Sequence, residues 1–232
     1  MKESPQEIAY EANVRLHQTG LVVLTWGNVS VLDRESGLMF IKPSGIPVKA
    51  LTPNKMAIVS LKDGTPLPGS LRPSSDTKTH LALYRAFPEL DGIVHTHSTY
   101  ATAWAQSGRD LPCFGTTHAD HFNGTIPCAR ALTPDETADD YEANTGTVIL
   151  EAFQSHNLDP IAVPGVLCRH HGPFTWGQTA KEAVDNAIAL ETIAKLAFLT
   201  LSLNPATPQI PAHILEKHHT RKHGPNAYYG KA

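Results

Sequence analysis

The stretch Ile93-Val94-His95-Thr96-His97 constrains this chain more than any other. An apolar run of this kind reads as a buried strand, and residues two apart on a strand face the same way. His95 and His97 therefore converge while Thr96 turns aside. A histidine at a strand end is often only a hydrogen-bonded rim residue. Two on one strand face beside a polar loop point instead to a metal ion.

A catalytic divalent metal wants at least three protein ligands and an open position. Residues 165–173 read as a second short strand that ends in His170 and His171 and is stopped by Gly172-Pro173. Period two lets only one of these two histidines face the metal, and periodicity does not say which. Asp76, nineteen residues before His95, opens a helical stretch through Leu81, Leu83, Tyr84 and Phe87 and offers a carboxylate.

Around these elements, helix and strand signals alternate as in an α/β layer structure. Ile8, Ala12 and Leu16 lie four apart in a helix from about 5 to 18, ended by Gly20. Apolar runs at 21–24, 29–32, 38–41 and 57–61 read as strands separated by turn residues. A helix is expected at about 98–106. Thr179 and Glu182 have capping-box spacing and launch a long Ala-, Ile- and Leu-rich helix to about 203, with small residues suited to close packing on a sheet.

With 232 residues, the chain has enough material for one sizeable core, and no linker divides 1–232, so a single domain is expected. A net charge of -3 with 18% charged residues gives no electrostatic reason to expect nucleic acid or an anionic membrane. The expected partners are small molecules and further copies of the chain. Cys113, Cys128 and Cys168 form no Cys-x-x-Cys pair, which fits reduced thiols in the cytoplasm. The acidic N-terminus has no apolar core of a signal peptide, and no run of about 18 apolar residues is evident to span a bilayer.

Two loops have the chemistry of an anion cradle. Lys42-Pro43-Ser44-Gly45 combines a cation, a hydroxyl and a glycine; Ser74-Ser75 precede a helix whose free amides favour phosphate. Gly27-Asn28 lie at a neighbouring turn. Taken singly, the serines read as N-caps and the glycines as turn formers.

Six ordered segments resemble the class II aldolase/adducin family, and its sugar-phosphate 4-epimerases in particular. They are Thr25-Trp26-Gly27-Asn28-Val29-Ser30, Lys42-Pro43-Ser44-Gly45, Pro73-Ser74-Ser75-Asp76-Thr77, His95-Thr96-His97-Ser98, Gly115-Thr116-Thr117-His118-Ala119-Asp120 and the tail from Arg221 to Gly230. The resemblance covers essentially the whole chain. It implies a three-layer α/β/α domain with a mostly antiparallel central sheet, and a homotetramer with active sites between subunits. A C-terminal tail, about 205–232, would complete a neighbour's site.

On the same resemblance, zinc, or manganese as the other divalent candidate, would be held by His95, His97 and His171, with Asp76 on or near the metal. Gly27, Asn28, Lys42, Ser44, Gly45, Ser74 and Ser75 would bind phosphate. The implied reaction is inversion of L-ribulose 5-phosphate at C4 to D-xylulose 5-phosphate in arabinose or related pentose catabolism. The C4 hydrogen is not α to the ketone, so breaking and remaking the C3–C4 bond replaces simple deprotonation, with the metal as Lewis acid. Asp120 and Tyr229 are the implied acid/base groups, Tyr229 coming from a neighbouring subunit. Thr116, Glu142, His218 and Arg221 lie in matched segments as further candidates. A class II aldolase would be expected to carry Glu at position 76, and an adducin-like interaction domain would lack the metal histidines.

Overall fold

A computed structural model describes residues 3–229. The first helix, α1 (Pro5–Gln18), begins as its sequence dictates. Ser4 caps it, Glu7 reaches back to the Ser4 amide at 2.8 Å, and Pro5 supplies a preset φ. Its inward face carries the expected Ala12 and Leu16 together with Ala9 and Asn13, and Ile8 packs half-buried against the same core. Asn13 spends its amide on β1 (Gly27–Asp33), donating to the Val29 carbonyl and accepting from the Val29 amide, both at 2.9 Å. This buried exchange fixes the helix on the strand.

The remaining strands are β2 (Leu38–Ile41), β3 (Ala57–Ser60), β4 (Gly92–Thr96), β5 (Cys128–Ala129), β6 (Gly165–Cys168) and β7 (Gly172–Gly177). They form one sheet in the order β3-β2-β1-β4-β7-β6-β5. The sheet is mixed: β5 runs parallel to β6, and the other neighbours are antiparallel.

Helices cover both faces, giving the α/β/α layering. On one side Val29, Val31 and Val94 pack with α1 and the first half of α7 (Ala180–Leu203). On the other, Met39, Ile41 and Ile93 pack with α2 (Thr77–Ala86) and α6 (Tyr141–Ser155). Gly92 explains how α7 lies so near β4: a Cβ there would stand 2.6 Å from the Ala180 Cα. Although α7, the long helix expected from Thr179 to about 203, is long and apolar enough to span a membrane by length and composition alone, its inner face packs on β7, β4 and α3 (Thr99–Ser107).

Two expected elements come out differently. Residues 21–24 are not a strand; β1, which follows directly, already has β2 and β4 on its two edges, so no ladder beside it is open to the run. It forms a loop in which Leu24 has φ 55° and Val23, Leu24 and Trp26 are exposed. Gly172-Pro173 do not stop β6 but open β7, after a turn in which His170 takes φ 65°. Pro173 has no N–H to give to a ladder, and its carbonyl accepts from the His95 ring.

The helix after β4 starts without a side-chain cap from Ser98. The Glu191 carboxylate on α7 supplies it, accepting from the Tyr100 amide at 2.9 and 3.1 Å and from the Ala101 amide at 2.9 Å. The remaining helices are α4 (Thr116–Ala119), α5 (Pro134–Asp139) and α8 (Ala212–His223). Of the residues singled out in the sequence, those at 1–2 and 230–232 lie outside the described chain.

Candidate metal and phosphate site

Sheet register builds the centre of the site. His95 on β4 stands opposite Asn28 on β1 and Phe174 on β7. His97 follows just past the strand end, and His171 closes the β6–β7 turn. Gly172 permits that closure, since a Cβ there would lie 2.7 Å from the Thr96 carbonyl oxygen.

One donor nitrogen from each of His95, His97 and His171 lies within 4.8 Å of the others. The turn geometry thus brings in His171, while His170 points out as an exposed residue. The His95 Nδ1–H donates to the Pro173 carbonyl at 3.0 Å, which leaves Nε2 as the lone-pair nitrogen. That Nε2 is buried and has no protein partner, and the same holds for Nδ1 of His171. Buried polar atoms are rarely left unpaired; two orphaned imidazole nitrogens in one cluster fit a cation as the missing partner. Burial, and then the neighbouring His95, push His171 down to about 3 and lower His97. Neutral imidazole is the form that coordinates a metal.

Asp76 sits at the N-cap position of α2 but makes no cap bond with its side chain. Its Oδ2 accepts instead from the Asn28 amide at 2.6 Å and the Ser74 hydroxyl at 3.2 Å, inside the site. Burial alone would raise its pKa, but the surrounding His95, His80 and His171 and the Asn28 hydrogen bond outweigh this and hold it below the usual carboxylate range.

The anion-cradle residues line the same cleft, of about 250 Å³, as the three histidines and Asp76. Main-chain bonds stitch its two loops together: the Ser44 amide donates to Arg72 O at 2.9 Å and the Ser74 amide to Lys42 O at 3.1 Å. Gly27, Gly45 and Ser75 complete the wall. Lys42 is buried, and burial lowers its pKa against the opposing pull of Asp76. A cation, hydroxyls and loop amides facing one small cavity suit a phosphate group.

Asp120 and Tyr229 do not line this cleft. They border another cavity, of about 840 Å³, with His121, Lys222 and α7 residues that include Glu182 and Asp185. Asp120 ends α4 and is paired with Arg221 and His218 of α8. Burial raises its pKa, but the hydrogen bonds and charge of Arg221 and His218 outweigh this and leave it lowered. Thr116 is the first residue of α4; Glu142 lies in the first turn of α6 and borders neither cavity.

Sequence reasoning missed a buried chain behind the site. His80 Nδ1 meets the Ser30 hydroxyl at 2.7 Å, and that hydroxyl meets Tyr84 at 2.9 Å. Burial drives His80 down to about 3. Its helical spacing of four from Asp76 was the available signal. Trp26, with its ring 6.4 Å from that of His97, was also passed over as a site neighbour.

Comparison with known proteins places the chain among relatives. Residues 7–198 match the Class II Aldolase and Adducin N-terminal domain. The chain is 50% identical over 231 residues, covering 100% of both chains, to L-ribulose-5-phosphate 4-epimerase UlaF of Salmonella paratyphi C (strain RKS4594). The same protein of Salmonella paratyphi B (strain ATCC BAA-1250 / SPB7) is 49% identical with the same coverage. Among solved structures, an L-fuculose 1-phosphate aldolase superposes with a TM-score of 0.78 at 24% identity, over 95% of this chain and 97% of that one. The L-fuculose 1-phosphate aldolase from Glaciozyma antarctica PI12 gives 0.73 at 21% identity, over 94% and 80%. These structures share the fold, and on the family match and the full-length relatives this chain belongs to the class II aldolase/adducin family.

Proposed function

We propose that this chain is an L-ribulose-5-phosphate 4-epimerase, inverting C4 to give D-xylulose 5-phosphate in pentose catabolism. The observation that carries this reading is that a three-histidine donor set and a phosphate cradle share one 250 Å³ cleft. Full-length relatives bearing that enzyme name support the choice of substrate.

His95, His97 and His171, with Asp76 on or beside the ion, would hold zinc or another divalent cation such as manganese. When bound, the cation supplies Lewis acidity toward a ketone and its neighbouring hydroxyl. Lys42, Ser44, Gly45, Ser74, Ser75, Gly27 and Asn28 hold the phosphate. That grip keeps the two-carbon aldehyde in place after the C3–C4 bond breaks, so it can present its other face and rejoin. Asp120 and Tyr229 exchange protons with the C4 oxygen on its two sides. Since they line a different cavity from the histidines within one chain, we place them at the metal cleft of a neighbouring subunit in a homotetramer, with residues from about 205 onward as the donated tail. Three free cysteines accord with a cytoplasmic setting.

The test is incubation of metal-loaded protein with L-ribulose 5-phosphate and a coupled assay for D-xylulose 5-phosphate, with and without EDTA. Chelator-sensitive product establishes the reaction. Accumulation of free aldehyde and dihydroxyacetone would identify an aldolase, the alternative that the fold relationship to L-fuculose 1-phosphate aldolase favours. The adducin-like alternative lacks support because the histidine cluster is intact.

A further inference from the structure

We propose that Arg221 is a positioning residue that joins Asp120 and Tyr229 into one proton-handling unit carried on a single chain. The inference rests on the reading above, in which those two groups exchange protons with substrate. Its observations are independent of that reading. The Arg221 guanidinium grips Asp120 with two bonds, Nη2 to Oδ2 at 2.8 Å and Nε to Oδ1 at 3.1 Å. Its centre also lies 4.1 Å from the Tyr229 ring centroid, a cation–π separation. The main chain of the same residue holds the returning tail, because the Arg221 carbonyl accepts from the Tyr228 amide at 2.9 Å and the Tyr229 amide at 3.1 Å.

Arg221 therefore holds Tyr229 by both side chain and backbone and Asp120 by the side chain. His218, three residues earlier on α8, adds a third bond to Asp120 at 3.1 Å and keeps the helix in register with α4. Only arginine can do both jobs with its side chain. Its planar fork matches the carboxylate while its flat face covers an aromatic ring, and a lysine ammonium offers one point charge for two separate partners. The expected consequence is that Asp120 and Tyr229 keep a fixed separation whatever the cleft contains, and that loss of Arg221 misplaces both.

The experiment compares Arg221→Lys and Arg221→Ala with Asp120→Asn and Tyr229→Phe in the full-length, metal-loaded protein. Both Arg221 variants are expected to lose kcat by roughly 10–100-fold, the scale set by misplacement of reacting groups. KM and bound metal stay near wild type. Guanidinium chloride added to Arg221→Ala restores part of the lost kcat at an unchanged melting temperature, while ammonium does not. Turnover in both Arg221 variants matching wild type, or no difference between guanidinium and ammonium, overturns the role of Arg221. Full turnover in Asp120→Asn or Tyr229→Phe overturns the acid/base reading beneath it, and the inference with it.

Discussion

Phe174 lies flat against His95, with ring centroids 4.2 Å apart and 21° between the planes. With the Nδ1 bond to Pro173, this stack leaves the His95 ring one orientation, its free nitrogen turned toward His97 and His171. Partners that orient a metal ligand typically matter 10–100-fold in metal affinity. Phe174→Leu, which removes the stacked ring from a fully buried position and leaves part of its volume unfilled, is expected to weaken zinc binding by about that factor. Competition with a chromophoric chelator measures it, and unchanged affinity would show that the stack is only packing.

His97 is half-buried just past the end of β4, where its ring helps close the donor cluster and fills no core. His97→Asn is expected to lose bound metal and turnover together while melting within a few degrees of the chelated wild type. Metal analysis alongside calorimetry checks both, and an unfolded variant would make the metal structural.

The separation of Asp120 and Tyr229 from the histidine cleft has a sharp consequence for mixed oligomers. His97→Asn and Tyr229→Phe, each inactive alone, are expected to recover about a quarter of wild-type turnover when co-refolded in equal amounts, as in a ring where each site draws on two subunits. Asp120→Asn mixed with Tyr229→Phe should recover nothing, because both groups come from one chain. Recovery in that second mixture would place the two groups on different subunits.

Acid should destabilise the metal-free protein. Burial lowers His118 to about 4, and its Nε2–H is committed to the Gly124 carbonyl at 2.7 Å. Burial likewise lowers His121 to about 4 and His80 to about 3. Each is neutral when folded and titrates near 6.5 when unfolded, so the unfolded chain binds more protons in between and stability falls as pH drops below about 6.5. His118 alone accounts for ~3 kcal/mol across its window. Urea midpoints of chelated protein at about pH 7 and pH 5 test this, and His118→Gln should flatten the slope. A midpoint independent of pH would refute the argument.

The sequence was most readable where chemistry and local pattern coincide. Pro5–Gln18 follows from a capping box and a proline, and Leu38–Ile41 from an apolar run between turn residues. The cleft was legible almost residue by residue because its cations, hydroxyls and glycines sit in short motifs. Residues 21–24 misled because an apolar run says nothing of whether a sheet edge is free to receive it. The choice between His170 and His171 was beyond periodicity, since it depends on a left-handed turn residue that flips the chain. The assignment of Asp120 and Tyr229 to one cavity depends on α8 folding back, a relation across 101 residues between Asp120 and Arg221.

The cap that Glu191 places on α3 gives the site a place in time as well as in space. The helix that leaves the His95-Thr96-His97 strand has no local side-chain cap and waits for a carboxylate 91 residues further along. Closing so long a loop costs entropy before any contact repays it, which slows the step that depends on it. A nascent chain makes both strand histidines before the carboxylate that fastens the helix behind them, so the histidine cleft is expected to become rigid only once α7 has docked.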